Sequence, residues 1–171
     1  MKNINEFAKL FEIICVKFDG APIGKKVVQK LFYFFERKGI QLNLRYGIHF
    51  YGPYSSKLDN MMHILESEDY ISINTEGHTH IVSIGKVAED CPSLLDHEKD
   101  YAEYVMEHFA HKSSLELEAL ATMDYVANYI NKYGNKKEIV MSFKKIKGNK
   151  FNDDMIEEAY DSLKQLCFIE N

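Results

Sequence analysis

The chain is short of the residues that mark a disulfide framework, a metal centre or a membrane anchor. Its 171 residues include three cysteines, Cys15, Cys91 and Cys167. They are odd in number, widely separated and without a C-x-x-C spacing, which argues against disulfides or a zinc site and leaves reduced thiols as the expectation. No apolar run approaches the ~20 residues that a spanning helix needs. The N-terminal stretch MKNINEFAKLFEIICVKF is interrupted by Glu12 and Lys17 and carries no small-residue cleavage site, so it does not read as a signal peptide. A cytoplasmic protein with no membrane partner is expected. Positive charge is also in deficit, with 21 Lys and Arg against 26 Asp and Glu and a net charge of −5. Long-range attraction to a phosphate backbone is therefore not a property of the whole surface.

Signatures of catalysis are missing as well. The chain contains no G-x-S-x-G elbow, P-loop, dinucleotide fingerprint, H-E-x-x-H or kinase motif. His78 and His80, two apart on an expected strand, could face one metal, but no third ligand of matching geometry accompanies them. His108 and His111 beside Glu107 are in the same position. No catalytic residue, metal ligand or cofactor is assigned, and a non-enzyme is expected.

What is present is a globular composition, 46% hydrophobic and 27% charged. A chain of this length can form one domain or two small lobes, burying roughly 70% of its unfolded surface. Phe7, Leu10, Phe11, Ile14 and Phe18 share one face of a helix over 3–18. A second helix, from about Ile23 to Lys38, has a wide apolar face and should lie centrally. Lys25, Lys26, Lys30, Arg37 and Lys38 are expected on its wet side, and Gly39 stops it. Leu58, Met61, Met62 and Leu65 predict a third helix. Tyr70–Asn74 and Thr79–Ile84, separated by a turn at Thr75-Glu76-Gly77, read as a β-hairpin. A helix over 94–111 follows. Ser113 and Glu116 form a capping box for a helix to about Ile130, another helix covers 136–146, and Asn152 caps a last one. Leu166–Glu170 has strand-like composition. The fold class is mainly α with a small β-hairpin. A winged-helix-like lobe over 1–90 is expected to pack on a helical lobe over 91–171 and to share one core with it, with a boundary at Cys91-Pro92-Ser93.

The unusual local chemistry lies in His49-Phe50-Tyr51-Gly52-Pro53-Tyr54-Ser55. Gly52 can take backbone angles closed to other residues, while Pro53 fixes its own φ and drives its predecessor out of the helical region. The chain must break here, before a helix that starts near Ser55. The surrounding aromatics either seal a core or face outward as anchors for a partner.

Gln29-Lys30-Leu31-Phe32-Tyr33 resembles the Q-K-L-L-Y helix of SocA-like (Panacea) proteins, and Phe50-Tyr51-Gly52-Pro53-Tyr54 resembles their aromatic-x-x-G-P turn. The variant Ile48–Ser55, with Leu115–Val126 downstream, is similar to the YwgA-like branch, and Gly-Pro-Tyr stands where the antitoxin pattern commonly has Gly-Pro-Val. The resemblance implies a mostly helical module that binds another protein, as an antitoxin neutralising a toxin or an adaptor delivering a substrate to a protease. Carried onto this chain, it marks Lys30, Tyr33, His49, Tyr51, Gly52, Pro53 and Tyr54 as protein-binding positions, acting by occlusion of a partner. A homodimer is left open. The competing reading is a winged-helix DNA-binding regulator using Lys136, Lys137, Lys144, Lys145 and Lys147, in the basic stretch 132–150. The expected recognition helix has no arginine, and the hairpin tip has neither Lys nor Arg, which disfavours base reading and phosphate anchoring.

Overall fold

Burial of α2 (Lys25–Lys38) organises the first of two compact units, because every residue from Val28 to Phe35 is buried. The computed structural model describes residues 4–85 and 94–170. Its first unit takes in Met1–Tyr46 and Ser55–His111 and its second Gly47–Tyr54 and Lys112–Asn171, so the chain visits the second unit for eight residues before returning to the first.

In the first unit, α1 (Ile4–Lys17) brings the apolar stripe expected of it to α2. Phe7 stacks on Phe32 with centroids 5.9 Å apart, and Phe11 meets the same ring at 4.9 Å. On another side of α2, Phe34 stacks on Phe109 of α4 (Asp96–Phe109) at 3.9 Å. Aromatic contacts at these spacings add about 0.5–1.5 kcal/mol each beyond the area they bury. A helix packed on several sides cannot keep a wet face along its whole length. Lys30, expected on that face, is accordingly only 3% exposed. Gly39 ends α2 with φ 130, its N–H donating to the carbonyls of Phe35 and Glu36. Beyond it Ile40, Leu42 and Leu44 alternate inward, and Leu44 N–H donates to the Glu36 carboxylate at 2.9 Å.

The third helix, α3 (Ser56–Ser67), is capped by Ser55, whose hydroxyl accepts from Leu58 N–H at 3.0 Å. The hairpin that follows is longer than expected: β4 (Ile71–Glu76) and β5 (Thr79–Ile84) pair antiparallel from Ile71–Ile84 to Glu76–Thr79. That leaves Gly77-His78 as a two-residue loop. Gly77 has φ 60 at the first loop position, as a type II′ turn requires. The two-residue strand β1 (Ile23–Gly24) joins β5 on its other side, giving a sheet in the order β1-β5-β4. The expected boundary at Cys91-Pro92-Ser93 lies outside the described residues. In the described chain the division falls between His111 and Lys112, with α4 in the first unit.

The second unit is built on α5 (Ser114–Tyr125), which contacts α6 (Lys136–Lys147) and α7 (Asp153–Gln165). The Ser113 capping box is present in full: Ser113 N–H donates to Glu116 at 2.7 Å and Glu116 N–H to the Ser113 hydroxyl at 3.2 Å. α5 runs on to Ile130 as expected, but its last turn, Val126–Ile130, is π-helical. Asn135 with Glu138 forms a second capping box, at the start of α6, and Asn152 caps α7. The Leu166–Glu170 segment is not a strand. It turns away from α7 through Cys167, with φ 60, and its apolar residues serve burial of Phe168 and Ile169 rather than sheet pairing. The Asn128 amide holds the segment by donating to the Phe168 carbonyl at 3.1 Å. Among the described residues no helix is long and apolar enough to cross a membrane.

Candidate functional site: a pinned aromatic hairpin

The predicted break at Gly52-Pro53 is a miniature hairpin. β2 (Gly47–His49) pairs with β3 (Gly52–Tyr54), bringing Gly47 opposite Tyr54, Ile48 opposite Pro53 and His49 opposite Gly52. Phe50 and Tyr51 form the turn between them, and neither has positive φ. Gly52 does, at 85, so an ordinary turn is closed by a glycine in the left-handed region, a familiar hairpin ending. A second reason for glycine is space, since a Cβ at this position would lie 2.7 Å from the Thr122 hydroxyl. The hairpin backbone thus rests directly on α5.

Tyr46 and Ser55, the first-unit residues that flank Gly47–Tyr54 in the chain, are held to α2 through Gln29. Its side-chain amide donates to the Ser55 carbonyl at 3.0 Å and accepts from Ser55 N–H at 3.0 Å. Its own carbonyl accepts from the Tyr46 hydroxyl at 3.3 Å. Burial, with the Glu36 carboxylate nearby, pushes the Tyr46 phenol well above its usual pKa, so it stays a donor. The Ser55 hydroxyl donates to the Leu44 carbonyl at 2.5 Å. Every polar group of Ser55 is satisfied although none of the residue is exposed.

Within the second unit a charge cluster holds the tip. The Lys147 ammonium donates to the Phe50 carbonyl at 2.8 Å and to Glu118 at 2.7 Å. Lys150 reaches both oxygens of the same carboxylate, at 2.7 and 2.8 Å. Its ammonium also lies 5.4 Å from the Phe50 ring centroid and 5.0 Å from that of Tyr51, within cation–π range. The side chains of Glu118 and Lys147 are only 7% and 3% exposed. Burial pulls the Lys147 pKa below its usual value, a shift that the Glu118 carboxylate partly offsets. One anion facing two cations leaves a net positive charge beneath the turn.

The outcome above this cluster is an exposed aromatic pair. Phe50 is 79% and Tyr51 44% exposed, their rings set edge to face at 5.0 Å, while Ile48 and His49 extend the exposed surface and His49 lies against Tyr54. Gly52 and Pro53 are buried and Tyr54 is half-buried. Of the positions marked in the sequence, His49, Tyr51, Gly52, Pro53 and Tyr54 share this hairpin. Lys30 and Tyr33 belong to the first unit instead, where Tyr33 is 1% exposed and sits edge-on to Phe34 and Tyr46. Phe50, the more exposed of the two tip rings, is not among the positions that the resemblance marks.

The lysines of the alternative reading lie on α6 and are largely engaged. Lys136 pairs with Glu157 and Asp161 at 2.6 and 2.7 Å, which pushes its pKa up to about 12. Lys144 pairs with Asp153 at 2.6 Å, and Lys147 is the buried group just described. Lys137 and Lys145 are exposed. On α3, Asp59 pairs with Lys25 and Lys57 donates to the Asn43 carbonyl at 2.8 Å. His80 meets the Thr75 hydroxyl at 3.1 Å, and among the described residues no three His, Cys, Asp or Glu side chains are grouped to hold a metal ion.

No family model matches the chain. It is similar to the "Uncharacterized protein YwgA" of Bacillus subtilis (strain 168), at 28% identity over 180 residues that cover 96% of this chain and 99% of that protein.

Proposed function

We propose that this chain is a non-catalytic protein-interaction module whose working surface is the Phe50-Tyr51 tip, and that it acts by covering part of a partner protein. The reading is carried by one observation: a phenylalanine 79% exposed at a turn whose backbone carbonyl is tied to a buried lysine. An exposed apolar ring is common on any surface and needs no explanation alone. A ring on a backbone pinned by a buried lysine, with a second lysine 5.4 Å from its centroid, is different, because a preordered turn loses little conformational freedom on docking and makes a good hot spot. An antitoxin-like or adaptor-like role, as the SocA-like resemblance implies, is the form of occlusion we favour.

We further infer a winged-helix arrangement for the stretch from α1 to β5. The supporting feature is the order of the first unit's own elements, with β2 and β3 of the second unit set aside: helix, short strand, two helices and a hairpin whose sheet admits that short strand beside β5. DNA binding does not follow from it, since Lys136, Lys144 and Lys147 are held by carboxylates.

The test is a Phe50→Ala/Tyr51→Ala double variant compared with the parent as bait in the same cell extract. Loss of proteins retained by the parent, with the thermal melt nearly unchanged, is the expected result. A collapsed melt would assign the two rings to the core, and unchanged retention would move the working surface elsewhere.

A further inference from the structure

The charges set beneath the Phe50-Tyr51 tip select the chemistry of what docks on it. Two ammonium groups, Lys147 and Lys150, share the single carboxylate of Glu118. They are not equivalent. The Lys147 side chain is buried and donates to Glu118 and to the Phe50 carbonyl. The Lys150 side chain is 29% exposed, with its ammonium 5.4 Å from the Phe50 ring centroid, 5.0 Å from that of Tyr51 and 5.8 Å from that of Phe151. An ammonium carries three N–H groups, and the two Glu118 oxygens take two of those on Lys150. Among the described residues no acceptor meets the third.

The hairpin supplies no balancing acid, since Gly47–Tyr54 contains neither Asp nor Glu. Asp153, the acid closest to Lys150 in the chain, is paired with Lys144 at 2.6 Å. The tip therefore joins two exposed rings to one surplus positive charge, in a chain whose net charge is −5. Taking the tip as the working surface, on which this inference rests, we propose that its partner is a protein segment in which Asp or Glu stands next to an aromatic or aliphatic residue. The partner's apolar side chain covers Phe50 and Tyr51, and its carboxylate accepts from the remaining N–H of Lys150. Covering the rings also takes water from the Lys150 ammonium, so a counter-charge on the partner offsets the loss of hydration. A neutral or basic segment leaves that charge desolvated and unmatched, which is how the tip discriminates. Rings beside a lysine also suit single-stranded nucleic acid, but a phosphate backbone is followed by a row of cations and this surface offers one.

The test is selection of random peptides on the immobilised parent and, in parallel, on Phe50→Ala/Tyr51→Ala. Peptides enriched by the parent alone should carry Asp or Glu beside an apolar residue. One of them is then titrated, with its amide counterpart in which Asn or Gln replaces each acid, against the parent, Lys150→Gln and Lys150→Arg. The amide counterpart on the parent, and the acidic peptide on Lys150→Gln, should each bind about three- to tenfold more weakly, between the values of a rim pair and a desolvated one. Lys150→Arg should keep the acidic peptide's affinity. The amide counterpart should bind the parent and Lys150→Gln alike, an outcome that an altered tip shape would not give. Enriched peptides that are neutral or basic, or equal affinity of the parent for acid and amide forms, overturn the acidic partner and leave the tip as the working surface. Enrichment of the same peptides by Phe50→Ala/Tyr51→Ala, or of none by the parent, overturns both. Displacement of the acidic peptide by oligothymidylate at a lower concentration than unlabelled peptide requires would assign the tip to single-stranded nucleic acid, and that also overturns the proposal.

Discussion

Gly52 illustrates how far a single residue can be read without coordinates. A glycine before a proline predicts a break, and the φ of 85 agrees, but the close approach to Thr122 is tertiary. Both reasons make Gly52→Ala destabilising, by about 1–3 kcal/mol, measured as a shift in the denaturant midpoint. Gln29 carries a larger lesson. It reads as one polar residue in an apolar helix, yet it satisfies two buried backbone groups 26 positions away. Gln29→Leu orphans Ser55 N–H, while the Ser55 carbonyl keeps the Asp59 N–H at 3.1 Å; the cost should be about 1–3 kcal/mol, read from equilibrium unfolding. Glu118 and Lys147 are likewise 29 positions apart, and no spacing rule joins them. Glu118→Gln leaves a buried ammonium without its counter-charge. It should cost about 3–5 kcal/mol, less as far as Lys147 gives up its proton, and should speed amide exchange at the hairpin tip.

At the scale of elements, local devices were legible and distant ones were not. The Ser113 and Glu116 box lies within one helical turn, so its residue types and spacing are enough to predict it. Ser113→Ala should cost about 1 kcal/mol. Hydrogen bonds from Ser113 hold the Glu116 carboxyl below the usual glutamate pKa. Its contribution is therefore fully present above about pH 4.3 and fades as pH falls through the lower folded value. A pH series of melts on Glu116→Gln should lack that part of the acid slope. By contrast, the strand expected over Leu166–Glu170 rested on composition alone. Phe168 and Ile169 are buried without pairing as a strand, because two apolar residues after a helix can satisfy burial by a turn. The π-helical turn over Val126–Ile130 likewise left no mark in the apolar spacing that predicted a helix to Ile130.

At the scale of the whole chain, the net charge of −5 and the placement of the lysines point the same way. The run 132–150 looks strongly basic in one dimension, but Lys136, Lys144 and Lys147 are each matched by carboxylates from α5 or α7. A duplex oligonucleotide should accordingly show no mobility shift at low salt, where binding by free lysines would be strongest. A shift that weakens steeply with added salt would restore the DNA-binding reading. The excursion of Gly47–Tyr54 into the second unit was not foreseen either, since a discontinuous unit has no local composition to announce it.

Helix periodicity, the caps at Ser55, Ser113 and Asn152, the β4–β5 hairpin and the bend at Gly52-Pro53 were determined by the sequence itself, because each depends on residues within a turn or two of one another. The tertiary structure alone decided that Lys30 is buried, that Glu118 binds both Lys147 and Lys150, and that Phe50 stands exposed above them. These outcomes depend on which distant groups meet in a medium where an unpaired charge or amide is costly, and periodicity does not encode that meeting.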